Sequence, residues 1–353
     1  MRGGVVQLAR WGLLDAIVES GAPEIRTVSY HFGDGRVLAR PVEDRAGVDF
    51  LIAPRRHVLD DLVLSEAVAA GARFEGGLTV TGVSTDPSGR VDGVLVRDQQ
   101  GRSRRITASF VVGADGVRSR IARAVGARVL DERPPHGSTH YAYVAGLDTK
   151  AMELHVGDRT YAGVFPTHGG EANVWACLPA GSAQARGEGS LDLAALLDHA
   201  APSLAERVRR ARVTSPVRNA KGLPNHVRQG SGPGWALVGD AGYHRDPITG
   251  HGITDAFRDA ELLARELGRS LRGDVAEVEA LAAYTGQRDE SLAQIFDITV
   301  ALGAFPPVHE FVELQKQLTL AIDSEAARLA DLPPLPTLEL VGSTSQRGTS
   351  DAR

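Results

Sequence analysis

Two stretches of this 353-residue chain combine residue types and spacings that can do chemistry. The first runs Gly234-Trp235-Ala236-Leu237-Val238-Gly239-Asp240-Ala241 and continues through Asp246-Pro247-Ile248-Thr249-Gly250-His251-Gly252-Ile253-Thr254. Trp235 to Val238 has the length and apolarity of a buried strand. Gly239-Asp240 ends it, Pro247 and the pair Gly250/Gly252 punctuate a loop, and an amphipathic helix follows. Glycines on both sides of a variable residue at a helix start leave peptide N–H groups uncovered, free to meet the electron-rich edge of a ligand. An Asp at the carboxyl end of a strand can accept hydrogen bonds from hydroxyls. The set suits a polyhydroxylated cofactor with an anionic ring, and the same residues also read as a plain strand-to-helix turn capped by the Asp.

The second stretch, Ser109-Phe110-Val111-Val112-Gly113-Ala114-Asp115-Gly116-Val117-Arg118-Ser119-Arg120-Ile121-Ala122-Arg123, reads as a buried strand, a Gly/Asp turn and a helix. Asp115 can fix the turn and Ser119 can bond to it, so an architectural role and a ligand contact are both open.

Together these residues resemble the FAD-dependent class A monooxygenases, the p-hydroxybenzoate hydroxylase-like family. Gly239-Asp240-Ala241, Pro247, Gly250-His251-Gly252 and Asp259-Ala260 match its second flavin signature, and Gly113-Ala114-Asp115-Gly116 with Ser119 matches its Gly-Ala-Asp-Gly-x-x-Ser-x-x-Arg signature. Three positions depart. His251 stands where the family usually has Gln, Thr254 where it has Asn, and Ala122 where the final Arg belongs, with Arg120 and Arg123 as alternative replacements.

The resemblance covers about residues 2 to 300 and implies FAD as cofactor, with NAD(P)H and O2 as cosubstrates. It implies hydroxylation of an aromatic or other electron-rich small molecule. Carried over position by position, it implies cofactor contacts at Arg2, Asp115, Asp240, Pro247, Gly250, His251, Gly252 and Ile253. It also implies an Arg at a helix start near the phosphates, where Arg55 is preferred to Arg56. The alternatives are a flavin-dependent reductase or dehydrogenase of the same fold, such as one acting on alkenes, and a non-catalytic remnant serving as a binding module. The Trp-x-Trp-x-Ile-Pro element of flavin halogenases is absent.

The elements that must position these residues follow from local pattern. Leu8, Trp11, Leu14 and Val18 predict a helix over residues 1–21 that stops at Gly21. Residues 25–32 and 37–42 form a hairpin about Gly33-Asp34-Gly35, and Val58 to Ala70 a helix. Short strands lie at 78–83, 91–97 and 103–107. Strand-like alternation at 139–147, 152–156, 161–165 and 173–178 predicts a substrate-domain sheet in which Tyr141, Tyr143, Phe165 and Trp175 are pocket candidates, core packing being the other reading. Helices at 191–200 and 204–211 precede a strand near 213–218. After Gly252, a helix presents Ile253, Ala256, Phe257, Ala260, Leu263 and Leu267 on one face until Gly268. Helices at 275–302 and 308–329 follow, split by Pro306-Pro307. The expected fold class is α/β: an incomplete doubly wound, Rossmann-like FAD domain (1–24, 53–133, 215–272) interleaved with a β-sheet substrate domain (25–52, 134–214). C-terminal helices (273–332) and a flexible tail (333–353) complete it.

Composition is that of an ordinary soluble chain, 42% hydrophobic and 24% charged with a net charge of −5. That charge offers no basic field for nucleic acid, and no apolar run approaches the roughly 20 residues that span a bilayer. A single cysteine, Cys177, rules out an internal disulfide and fits a reducing cytoplasm. His136 and His140 lack a third ligand, so no metal is expected. Oligomeric state is left open. A dinucleotide fold opens with a strand, Gly-x-Gly-x-x-Gly and a helix, and the sequence contains no such unit. The resulting expectation is that Met1 is internal to a longer reading frame with roughly 40–50 residues upstream, and that the strand before Gly113 is unpaired along one side.

Overall fold

The computed structural model describes residues 1–182 and 192–335. The chain enters through two helices, α1 (Arg2–Arg10) and α2 (Leu14–Glu19), where one was expected, because the chain turns at Trp11-Gly12. Next come β1 (Glu24–Ile25), the hairpin β2 (Thr27–Phe32) and β3 (Val37–Pro41), and β4 (Leu51–Ile52), which returns to pair with β1. Helix α3 (Arg56–Ala69) leads to a three-stranded meander, β5 (Thr79–Thr85), β6 (Val91–Arg97) and β7 (Ser103–Thr107). The strand β8 (Val111–Gly113) and helix α4 (Arg120–Ala124) carry the second motif.

After β9 (Val129–Arg133), four strands, β10 (Gly137–Ala145), β11 (Met152–Gly157), β12 (Thr160–Pro166) and β13 (Glu171–Pro179), run close to their expected ranges. Helices α5 (Leu193–Ala200) and α6 (Pro202–Arg210) follow. The strand expected near 213–218 is two strands, β14 (Arg212–Val213) and β15 (Arg218–Lys221), since Pro216 lacks the N–H that a continuous ladder needs. Four short strands, β16 (Asn225–Arg228), β17 (Ser231–Gly232), β18 (Trp235–Leu237) and β19 (Tyr243–His244), precede three long helices, α7 (Gly252–Leu271), α8 (Glu277–Gly303) and α9 (Val308–Asp331). The expected tail lies largely outside the described residues.

The largest sheet has the order β14-β10-β13-β12-β11-β2-β3, with β15 also on β10. Alternation divides its side chains cleanly. One face, with Ala142, Ala162, Val164 and Val174, is sealed by Leu193, Leu197 and Leu204 of α5 and α6. The other, with Tyr161, Trp175 and Leu154, meets Phe311 and Leu318 of α9. A second sheet, β17-β18-β8, joins the two motifs: β18 runs parallel to β8, with Trp235 opposite Val111 and Leu237 opposite Gly113. Among the described residues, β8 pairs with no other strand.

Helix α7 corrects two expectations. It passes through Gly268 to Leu271, and its buried residues are Thr254, Asp255, Arg258, Asp259, Glu261, Leu262, Leu263, Glu266 and Gly268, so of the expected face Leu263 is buried while Ile253 is 41% exposed. The apolar residues marked only part of the buried surface, since Leu263 is buried and Phe257 and Leu267 half-buried, and the rest is made of charges that neutralise one another. Arg258 donates to Asp255 (3.0 Å), Asp259 (2.9 Å) and Glu325 of α9 (2.6 Å), and Arg245 donates to Asp255 (3.1 Å). Paired in this way, charges can occupy an interior that would exclude them singly.

Candidate functional site

Strand β18 delivers the chain to a 3-10 turn, Gly239–Ala241, which α7 fixes from behind: Asp259 accepts the Gly239 N–H at 2.9 Å. Asp240 is left half-buried beside the start of α7, its Oδ1 3.9 Å from where a Cβ on Gly252 would lie. Burial raises the Asp240 carboxyl above its usual value, against the pull of His244, Arg245 and Arg56. The second turn, Pro247–Thr249, is capped by Asp246, whose Oδ1 accepts the Ile248 N–H at 3.0 Å. Gly250 then takes φ +64, a left-handed conformation open to glycine at little cost, and this aims the start of α7. No side chain caps that helix start, so its first N–H groups are available, at the positive end of a 20-residue helix dipole.

Pro247, Gly250 and His251 line a cavity of about 870 Å³ whose floor is the inner face of the large sheet and whose roof is α9. Three polar atoms buried in its wall have no hydrogen-bond partner among the described residues: His251 Nε2, Trp175 Nε1 and Thr249 Oγ1. Burial pushes the His251 imidazole down to about 3, so it is neutral at physiological pH. Its Nδ1 lies 2.9 Å from the Thr249 carbonyl oxygen, which makes Nδ1 the donor and leaves Nε2 an acceptor. Orphaned polar groups at an uncapped helix start fit a ligand with a polar, hydrogen-bonding ring edge. The ring end of a flavin meets that description. For the adenosine end, the described residues hold no glycine-rich strand–turn–helix.

Of the other expected cofactor residues, Arg2 lines the cavity and is buried, donating to Asp323 (3.1 Å) and to the carbonyls of Glu43 (2.8 Å) and Val48. Ile253 lines a smaller neighbouring cavity of about 220 Å³. Arg55 turns away: its guanidinium lies 3.5 Å from the Tyr143 ring centroid and donates to Glu171. The adjacent Arg56 is the one that borders both cavities. Asp115 is committed to its own turn, accepting from Ser119 Oγ and from the N–H groups of Arg120 (2.6 Å) and Ile121 (3.2 Å).

Neither Arg120 nor Arg123 holds the second motif to the first. Arg228 does, donating to the carbonyls of Val117 (3.2 Å) and Ala241 (3.0 Å). No sequence signal marked it, since it lies outside both motifs. Tyr141, Tyr143, Phe165 and Trp175 all line the larger cavity, joined by Tyr30 and Tyr161, which were missed. Tyr30 was legible from the alternation Val28, Tyr30, Phe32 along β2. On the opposite face, His31, Glu153 and His155 group like metal ligands, but Arg207 occupies both Glu153 oxygens at 2.6 and 3.1 Å.

A small three-stranded sheet that joins the two motifs, a large mostly antiparallel sheet, and a cavity between the motif loop and that large sheet match a p-hydroxybenzoate hydroxylase-like class A flavoprotein fold. The chain belongs to the FAD binding domain family, which it matches over residues 5–299. It is 28% identical over 269 residues to a digeranylgeranylglycerophospholipid reductase of Methanosarcina mazei and 28% identical over 272 residues to a menaquinone reductase of Mycolicibacterium smegmatis. Each match covers 73% of this chain and 63% of the reductase. Among solved structures, PqsL, a probable FAD-dependent monooxygenase from Pseudomonas aeruginosa, superposes with a TM-score of 0.74 at 23% identity, covering 89% of this chain and 88% of PqsL. FAD is therefore the cofactor of this chain, a member of the FAD binding domain family.

Proposed function

We infer that the chain is an FAD-dependent monooxygenase that uses NAD(P)H and O2 to hydroxylate a bulky, ring-bearing or otherwise electron-rich small molecule. The observation that supports this reading is the 870 Å³ cavity, walled by six aromatic residues and the motif loop. The balanced reaction consumes substrate, O2, NAD(P)H and a proton, and yields hydroxylated substrate, NAD(P)+ and water. The redox chemistry is supplied by FAD when bound. The chain's own residues bind, orient and exclude water. The α7 N–H groups would hold the polar edge of the FAD ring and favour negative charge there. Asp240 accepts from hydroxyls, Pro247 shapes the loop, and the neutral His251 offers an acceptor rather than a proton. Tyr161 and Trp175, 5.0 Å apart and edge to face, form a rigid floor that keeps the substrate dry.

A second reading, a flavin-dependent reductase acting on an apolar alkene or quinone, is favoured by the curated relatives, which are reductases of such compounds by name. Turnover under 18O2 separates the two. Incorporation of the label into product supports the monooxygenase. Product formed equally well without oxygen, with no label and two added hydrogens, replaces it with the reductase.

A further inference from the structure

The larger cavity has two unlike ends. The strand register places Tyr143 beside Asn173 and Asn173 beside Phe165. Glu153 opposite Val164 brings Met152 next to Phe165, and Met152 faces Val28, which faces Arg40. This row crosses six strands on one face, and five steps of about 4.8 Å put its ends about 24 Å apart. The motif loop meets the strand of Tyr143, β10, six residues from that tyrosine, so close that a Cβ on Gly137 would lie 2.9 Å from Asp246 Oδ2. At the other end, on the edge strand β3, stands Arg40.

Three carboxylates explain why Arg40 differs from the other arginines in and beside the wall. Asp323 pairs with both Arg2 (3.1 Å) and Arg45 (2.8 Å), and Asp60 pairs with Arg56 (2.9 Å). Just outside, Asp34 neutralises Arg36 at 2.6 Å. Arg40 borders the cavity and has no ion-pair partner among the described residues. An apolar floor about 24 Å long thus ends in an unneutralised guanidinium, the group best shaped for a carboxylate or phosphate.

We propose that the substrate is an elongated amphiphile: its anionic end rests on Arg40, its apolar body lies across the sheet, and the position that reacts is the far one, at the Pro247–His251 loop. This rests on reading the cavity as the substrate site. The test is competition of dodecanoate, dodecyl phosphate and dodecan-1-ol against a fluorescent apolar dye on the full chain, for wild type, Arg40→Gln and the control Arg36→Gln, with FAD affinity measured in parallel. Wild type and Arg36→Gln should bind at least one of the two anions about tenfold tighter than the alcohol, since an exposed charge pair retains only part of its strength. Arg40→Gln should bind all three alike and FAD normally. Preference for dodecanoate alone identifies a carboxylate, and for dodecyl phosphate alone a phosphate.

Equal binding of the three by wild type overturns the inference while leaving the flavoprotein reading intact, as does a preference that survives Arg40→Gln. Loss of FAD affinity in Arg40→Gln overturns it too, by making Arg40 a cofactor residue. A wild type that binds FAD but none of the three overturns both the inference and the reading of this cavity as the substrate's.

Discussion

The two Gly/Asp turns look alike in sequence and are used in opposite ways. At Gly113–Ser119 the Asp faces inward, and its oxygens accept two N–H groups and a hydroxyl from the next six residues, so the turn is closed upon itself. At Gly239–Gly252 the support comes from outside the loop. Asp259 holds Gly239, Asn225 accepts the Asp246 N–H at 2.6 Å, and Arg258, which donates to Tyr243, ties the segment to α9, which leaves Asp240 and the helix start free to serve something else. A turn that supplies its own partners has none left over, whereas one held from behind can face a ligand.

This contrast can be broken most forcefully from behind. Arg258→Ala removes the cation shared by Asp255, Asp259 and Glu325 and leaves buried carboxylates unpaired. Chemical denaturation should show a loss of about 3–5 kcal/mol, and a loss below 1 kcal/mol would mean the network is not what holds the loop. Asp240→Ala should leave stability nearly unchanged and weaken FAD binding roughly 10- to 100-fold, the worth of charge-assisted hydrogen bonds. An unchanged dissociation constant would make both turns architectural. Asp115→Ala should do the converse, lowering stability by about 1 kcal/mol as the loss of a helix-start cap does and leaving FAD affinity unmoved.

The smallest effect is that of acid on the loop. The folded chain protonates His251 only near about 3, while an unfolded chain does so near about 6.5. Between those values the unfolded state binds the extra proton, so this contribution to stability is complete above about pH 6.5 and falls as the pH drops. The urea midpoint of the wild type should therefore decline from pH 7.5 to 5 more steeply than that of His251→Gln, and equal slopes would refute the assignment.

How far the sequence carried this picture depends on the range of each interaction. The hairpin about Gly33-Asp34-Gly35, the four strands of the cavity floor and the turn at Pro247 are local, and their patterns were readable within ten residues. The buried side of α7 was read only in part because much of it is charged, and charge reads as solvent-facing until Glu325, 67 residues from Arg258, is brought beside it. Arg228 was invisible for the same reason, its partners lying 111 and 13 residues away. The choice between Arg55 and Arg56 turned on the Tyr143 ring, which a third segment supplies.

The floor of the cavity contains one position where a missing side chain matters as much as those present. Gly163 lies opposite Trp175, and the indole occupies the space that a Cβ on Gly163 would need. The two sites therefore cannot vary independently. A lineage that changed Gly163 first would have to push the indole up into the ligand's space, whereas one that first replaced Trp175 by a smaller residue would relieve that clash and still meet the Glu153 carbonyl oxygen, 2.7 Å from the new Cβ. Position 163 is thus held at glycine by an indole on one strand and a carbonyl on the other, and the aromatic surface of the floor is pinned to the strand that carries Trp175.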